Sequence, residues 1–488
     1  MPLDPRSTRN SAAARLSICS LVFAVACGGD PTSNRPVPAE MRLLSPATQT
    51  GTPGWALPDS VIVEVLDAEG RALSGVAVTW TANNDRDLVE RPADTTDIAG
   101  RASARWTLGR REGEQTLSVA AGGLTPLTVA ATATIFHAAS VTVGNGFACA
   151  LTDTGRAFCW GWNYQGQMGN GTVGTPVTVP VPVTGGLIFT ALAASGTHVC
   201  GLTGAGEVHC WGGNNYGEVG SGTVGPSVPV PTPVQTALRF TQISAEGVGP
   251  DFSNSTCGLT VDGEAWCWGD NAFGQLGNGT TESSAVPVRV QSDVPFTSVH
   301  TGFFHSCAVA VAGELWCWGE QETDIGAFGA RPEGLYTTPV ALHPDFRFAG
   351  LVTGRNYSCG LTIQRTAYCW GAYWFGSLGR SAATGPSAVP LPVDGGLSFA
   401  TLGSTSFEEV YGLTPDGTLY RWGSPGNDIE QPAPVPVTDF RFSSVDSGSE
   451  PFDFANGACG IATGNAVYCV RSDGLVRGVP APVEIQGR

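Results

Sequence analysis

Lysine is absent from this chain of 488 residues; every basic side chain other than histidine is arginine. That excludes a Walker-type phosphate loop and a lysine Schiff base. Histidine is scarce at 6 and methionine scarcer at 3. HExxH, GxSxG and calcium-loop patterns are missing, and with them the chemistries they run. Charged residues make up 14% and the net charge is −17. Nucleic acid and anionic membrane surfaces both need a basic footprint, so neither is expected as a partner. Long apolar stretches with a 3.6-residue period are lacking, so helices should be scarce. No cofactor or metal set stands out. Abundant Gly (66) and Pro (34) instead point to a turn-rich, all-β protein.

Arg6, Arg9 and Arg15 precede an apolar run from Leu16 to Ala26. The run is too short for a permanent span, and residues 1–26 read as a signal peptide. Ala24-Val25-Ala26-Cys27, followed by Gly28-Gly29, resembles the bacterial lipobox, with Ala24 where Leu is commoner. The resemblance implies lipidation of Cys27; a plain signal peptide cleaved nearby is the alternative. Residues 27–39 form a Pro-rich tether. The expected location is the cell envelope, in an oxidising compartment, with the lipid as the only membrane contact. The outer membrane is the expected host, on its periplasmic or its cell-surface side. Secretion is the alternative.

Residues 40–136 contain no cysteine. Strand-like runs recur at 61–66, 76–80, 102–108, 115–120 and 127–133, separated by turns such as Asp67-Ala68-Glu69-Gly70. About 100 residues of this kind predict a β-sandwich. Trp80 and Trp106 fall in predicted strands and read as core. The segments VEVLDAEGRALSGVAVTW and TTDIAGRASARWTLG resemble the bacterial immunoglobulin-like domains of the invasin and intimin type. That resemblance implies an Ig-like domain acting as a spacer.

From residue 137 to 488 the chain repeats itself. Six cysteine pairs share one spacing: Cys149 and Cys159, Cys200 and Cys210, Cys257 and Cys267, Cys307 and Cys317, Cys359 and Cys369, Cys459 and Cys469. A seventh unit has Tyr411 and Arg421 in those places, so both cysteines are lost together. Short strands on a period of roughly fifty residues mean a propeller or a solenoid. In CALTDTGRAFCWG two strands flank Asp153-Thr154-Gly155, and Gly155 supplies the left-handed third position of a three-residue hairpin. Gly206, Gly263, Gly313, Gly417 and Asn465 are its equivalents, with Arg365 the exception. That hairpin sets the two cysteines directly opposite one another, close enough for a disulfide. Zinc sites prefer tighter clusters, and pairs spread around a ring cannot converge.

Each hairpin is followed by a Gly-rich loop, such as WGWNYQGQMGNGT and WGDNAFGQLGNGT, and then by a Pro/Val strand. These units resemble the repeats of the regulator of chromosome condensation family, and the resemblance implies a seven-bladed β-propeller. Two departures stand out. Val470-Arg471 replaces Trp-Gly in the last unit, and the loop Glu320–Gly329 breaks the pattern. The expected architecture is therefore an Ig-like β-sandwich followed by a seven-bladed propeller. The strand 479–487 and the start AASVTVG (138–144) are expected to share a blade and close the ring.

His198 and His305 occupy one slot of the repeat and read as structural. The Trp of each Cys-Trp-Gly reads as packing. Aromatic and Arg side chains in irregular loop positions carry more information, because such groups make binding hot spots. Trp162, Tyr164, Tyr373 and Trp374 follow the hairpins; Phe303, Phe304, Arg355, Tyr357 and Phe407 precede the first cysteine position. Packing between blades is the competing reading. Within the resembling family some propellers act on a small GTPase, and a secreted bacterial relative inhibits β-lactamases by face-on docking. The leading expectation is a non-enzymatic, monomeric scaffold that binds a protein or glycan. The alternatives are an enzyme on envelope polysaccharide, with Asp270, Glu320 and Glu408 as candidate acids, or a purely structural surface protein.

Overall fold

The computed structural model describes residues 36–83, 88–245, 254–321, 325–330, 332–354, 356–373, 376–382, 385–405, 408–424, 430–449, 456–471 and 475–481. All regular elements among them are strands. Cys27 and the signal segment lie outside this set.

Two sheets form the N-terminal domain. One runs, in spatial order, Glu40–Leu43, Val61–Leu66, Arg101–Thr107 and Leu88–Glu90. The other has five strands, with Gly113–Ala121 between Leu127–Ala133 and Ala77–Ala82. All five expected strands are present, with ends shifted by a residue or two. Val61, Val63 and Val65 are fully buried while Ile62 and Glu64 between them are half-exposed, as a two-residue period requires. Trp80 and Trp106 pack in the same core with Leu117, Val119 and Val129.

Seven four-strand units follow, each built from an innermost, second, third and outermost strand. In the first these are Ser140–Val143, Phe147–Leu151, Ala157–Asn163 and Gly174–Pro182. The first five units are separate sheets. The last two are joined by one strand, Gln431–Ser449, which is outermost in unit 6 and innermost in unit 7.

All six expected disulfides are present. Cys149 stands directly opposite Cys159 in register, with Cα atoms 4.0 Å apart. Cys200 is bonded to Cys210 and Cys257 to Cys267, each at a Cα separation of 4.1 Å. Cys307 is bonded to Cys317 at 4.0 Å, Cys359 to Cys369 at 4.1 Å, and Cys459 to Cys469 at 4.0 Å. Each of these pairs is also directly opposite in register, as the three-residue hairpin requires. Unit 6 carries an ionic cluster instead. Arg421 Nη1 lies 3.1 Å from Glu409 Oε1, and Tyr411 Oη donates to Glu409 Oε2 at 3.0 Å. Burial raises the Glu409 pKa, against the Arg421 charge and the Tyr411 hydrogen bond.

The hairpin turn locks each unit to its successor. Gly155 has φ 77° and its carbonyl accepts from Phe189 N at 2.9 Å. The same bond recurs from Phe240 to Gly206, Phe296 to Gly263, Phe348 to Gly313, Phe399 to Arg365 and Phe442 to Gly417. Arg365 and Asn465 adopt φ 65° and 66°, so the slot imposes the left-handed conformation even without glycine.

Ring closure uses that bond once more: Ala138 N donates to Asn465 O at 2.9 Å. Phe136 N donates to Val479 O, and Val467 N to Phe136 O. The expected shared blade rests on a strand over 479–487 that lies mostly outside the described residues; within them, His137 bridges to Ala466 of the last sheet. Residues 140–143 edge the first sheet and Val476–Gly478 edges the last, so the ends meet between neighbouring sheets. The recurrent bond to a hairpin turn decides this, because it places residue 138 where an inner strand begins. Residues 482–488 fall outside the described set.

Candidate interaction face

The Gly-rich loop after each third strand belongs as much to the next unit as to its own. Trp211, Trp268, Trp318, Trp370 and Trp422 are fully buried. The indole N–H of Trp211 donates to Gln167 O at 2.8 Å, and that of Trp268 to Glu218 O at 2.8 Å. Trp318, Trp370 and Trp422 reach Gln275, Ala327 and Ser377 in the same way. A Cβ on Gly169 would lie 2.8 Å from the Trp211 indole nitrogen, and Gly169 also has φ 61°; both demand glycine there. The Trp-Gly motif is thus packing between units, as the sequence suggested. A second recurring aromatic went unread. Phe189, Phe240, Phe296, Phe348 and Phe399 stack near Trp211, Trp268, Trp318, Trp370 and Trp422 at centroid distances of 5.5–6.3 Å. Their regular spacing in the sequence was the available signal.

The two loop sets that hold the candidate aromatics lie at one end of the ring. Trp162 N donates to Gly146 O at 2.8 Å, tying the loop after the third strand to the turn before the second. Gly213 to Thr197, Asp270 to Asn254, Glu320 to Phe304 and Ala372 to Asn356 repeat the tie. This is the loop end; the hairpin turns form the opposite, hairpin end.

An aromatic arc crosses four consecutive units at the loop end. Trp162 is half-buried and packs on Tyr164 at 5.8 Å, and Tyr164 is 57% exposed. Tyr216, which the sequence reading passed over, follows in unit 2 at 40% exposure. Phe273 of unit 3 then meets Phe304 of unit 4 at 4.6 Å, and Phe304 meets Phe303 at 4.7 Å. Phe303 is half-exposed, whereas Phe304 is buried and supports it.

The remaining candidates sit elsewhere. Tyr357 is 2% exposed and closely packed on Gly354, so it serves packing. Tyr373 donates to Glu430; burial and that carboxylate push its phenol up to about 12. Arg355, Trp374 and Phe407 lie outside the described residues.

A cavity of about 240 Å³ opens at the loop end of the ring axis. All seven innermost strands line it, with Ser195, Gln242, His300, Phe303, Thr353 and Asp446 among the contributors. Asp446 accepts from Thr142 Oγ1 at 2.9 Å and Val143 N at 3.0 Å, which joins unit 7 to unit 1; burial raises its pKa. The candidate acids Asp270 and Glu320 are not among the described lining residues, and the side chain of Glu408 lies outside the described set. Asp270 accepts instead from Ala272 N, Ser283 Oγ and Gln275 Nε2, which braces its own loop. His198 is a buried bridge: Ser195 Oγ lies 2.6 Å from Nδ1 and Thr256 Oγ1 2.7 Å from Nε2. Burial pushes it down to about 3, so it stays neutral.

Comparison with known proteins settles the repeat type. Two profiles of the regulator of chromosome condensation (RCC1) repeat match, one over 154–202, 205–246 and 262–309, the other over 138–167 and 189–218. Residues 138–246 and 262–309 of the ring carry RCC1 repeats. The ultraviolet-B receptor UVR8 of Arabidopsis thaliana is 26% identical over 311 residues, covering 61% of this chain and 69% of the receptor. The mitochondrial RCC1 domain-containing protein RUG3 of the same plant is 35% identical over 154 residues, 31% of this chain and 34% of that protein. Among solved structures, human WBSCR16 superposes with a TM-score of 0.57 at 22% identity, covering 66% of this chain and 87% of that one. Prp20p of Saccharomyces cerevisiae, described with its binding to Gsp1p and histones, gives 0.57 at 17%, covering 67% and 83%. At those identities the structures show the fold, an RCC1-like propeller.

Proposed function

We propose that the chain is an exported binding scaffold: a seven-bladed RCC1-repeat propeller, anchored through lipid on Cys27, whose loop end docks a protein partner. The carrying observation is the convergence of Trp162, Tyr164, Tyr216, Phe273 and Phe303 on one face of a disulfide-stapled ring. Large, pre-organised aromatic groups give contact area at little entropic cost. The protein partners of Prp20p support the same use of the fold. In this reading the N-terminal β-sandwich is the Ig-like domain that carries the ring away from the membrane.

A photo-crosslinking residue at Tyr164 or Tyr216 should trap one partner from the native envelope, while the same residue at Val261, on a hairpin tip, should not. Equal trapping from both ends, or none from either, removes the docking reading. Replacing Cys27 by Ala should release the protein from membranes into the soluble fraction.

A further inference from the structure

On each innermost strand, one residue pairs in register with the first cysteine position of its unit. These residues are Thr142, Ala193, Ser244, His300, Val352 and Asp446, with Gly403 opposite Tyr411. All seven line the axial cavity. Two of the polar ones are spent on joints between units. Thr142 Oγ1 donates to Asp446, and Ser244 Oγ accepts from Thr301 N at 3.0 Å. His300 and Asp446 keep spare capacity. His300 is half-exposed, and its Nε2 lies 3.2 Å from Ser298 Oγ while Nδ1 has no partner among the described residues. Burial pushes its pKa down to about 4, so the imidazole stays neutral, with one donor and one acceptor nitrogen. A carboxylate offers about four lone-pair sites. Asp446 fills three of them, from Thr142 Oγ1, Val143 N and Ser447 N, which leaves a site on Oδ1. Units 4 and 7 stand nearly across the ring from one another, so these two groups bracket the cavity.

The rest of the lining limits the occupant. Leu192, Ala193 and Leu402 add apolar surface between the polar groups, and Phe303 stands half-exposed at the mouth. At about 240 Å³ the space is smaller than the roughly 300–1,000 Å³ of pockets for drug-sized ligands. Among the described residues no group of three His, Cys, Asp or Glu is placed to hold a metal ion. Hydroxyl groups match an open carboxylate site and a neutral imidazole, and C–H faces pack on the negative face of a phenyl ring. We propose that the axial cavity binds one neutral polyhydroxylated molecule of monosaccharide size, held between Asp446 and His300 and covered by Phe303. This goes beyond protein docking and does not depend on it.

The test is isothermal titration of the mature chain with glucose, galactose, mannose, N-acetylglucosamine, myo-inositol and glycerol. Glucosamine and glucuronate are the charged controls. At least one neutral compound should bind, one per chain, with a dissociation constant on the order of 1 mM. For a sugar, the methyl glycoside separates the two sources: equal binding marks the end unit of a glycan, and lost binding marks a free sugar. Ala193→Leu fills the cavity from a half-exposed position and should abolish binding. His300→Phe and Phe303→Ala leave the joints between units intact, and each should weaken binding about three- to tenfold. Val261→Ala should leave it unchanged. If no neutral compound binds, the cavity holds water alone and the inference is overturned. Binding that survives Ala193→Leu overturns it as well, and so does a preference for glucosamine or glucuronate over the neutral sugars. Crosslinking at Tyr164 and Tyr216 is untouched by these outcomes, so the docking reading stands or falls separately.

Discussion

Glu218 stands where the units on either side have glutamine, Gln167 and Gln275. Gln167 and Gln275 each accept a backbone N–H two residues upstream through the side-chain oxygen, at 2.9 Å. Glu218 keeps that bond, from Tyr216 N at 2.8 Å. It is almost fully buried, however, and desolvation, with some help from Asp270, pushes its carboxyl up to about 7. A carboxyl whose folded pKa is raised favours folding below its unfolded value of about 4.5, and that advantage is lost as pH rises through 7. Glu218→Gln removes the ionisation and keeps the acceptor. It should leave stability nearly unchanged at pH 4.5 and raise it by about 3 kcal/mol at pH 8. Urea melts at the two pH values read this directly, and equal shifts at both would show that Glu218 ionises freely. The Glu-for-Gln exchange was visible in the repeat, but its burial was not, because a loop's depth depends on the unit packed against it.

The strand and turn pattern was readable because it is local: alternation, a Gly slot and two cysteines ten residues apart fix one hairpin. Contacts between units were harder to read. The tie from Trp162 N to Gly146 O and the step from loop to next-unit Trp join residues whose spacing depends on loop lengths. Hence the sequence named the aromatics of both loop sets but could not bring them to one end. One inter-unit contact differs at the seam of the ring among the described residues. Trp160 is fully buried, yet its indole N–H finds no acceptor among the described residues. The unit before it is the last, where Val470-Arg471 replaces Trp-Gly. Phe136 packs edge-on against Trp160 at 6.2 Å instead. Trp→Phe should therefore cost more at Trp211 than at Trp160. At Trp211 it strands the Gln167 carbonyl, a difference of about 1–3 kcal/mol. Denaturant midpoints of the two single variants decide it, and equal losses would mean that the hydrogen bond adds nothing.

The spacer expected from sequence is joined to the ring by a defined contact. The last sheet ends on the three-residue strand Val476–Gly478, and a sheet edge presents unpaired backbone groups that a neighbouring element can cover. The N-terminal domain covers this one. Gly478 N donates to Pro53 O at 3.0 Å, Trp55 Nε1 donates to Gly478 O at 3.1 Å, and Arg477 lies over the Trp55 ring at 5.0 Å. Tyr468 Oη donates to Arg110 O at 3.0 Å, and His137 Nε2 lies 3.1 Å from Glu112. None of this was legible, because most of the partners are hundreds of residues apart and Trp55 belongs to no strand or repeat. The contact falls beside the ring closure, where Phe136 and Val479 meet, so undocking should loosen the closing seam of the propeller. Trp55→Ala removes the hydrogen bond and the cation–π contact together, worth about 1–2 kcal/mol. Calorimetry should show one coupled transition for the native chain and a lower ring midpoint for the variant. Two independent transitions, neither moved by the substitution, would make the domain a tether with no hold on the ring.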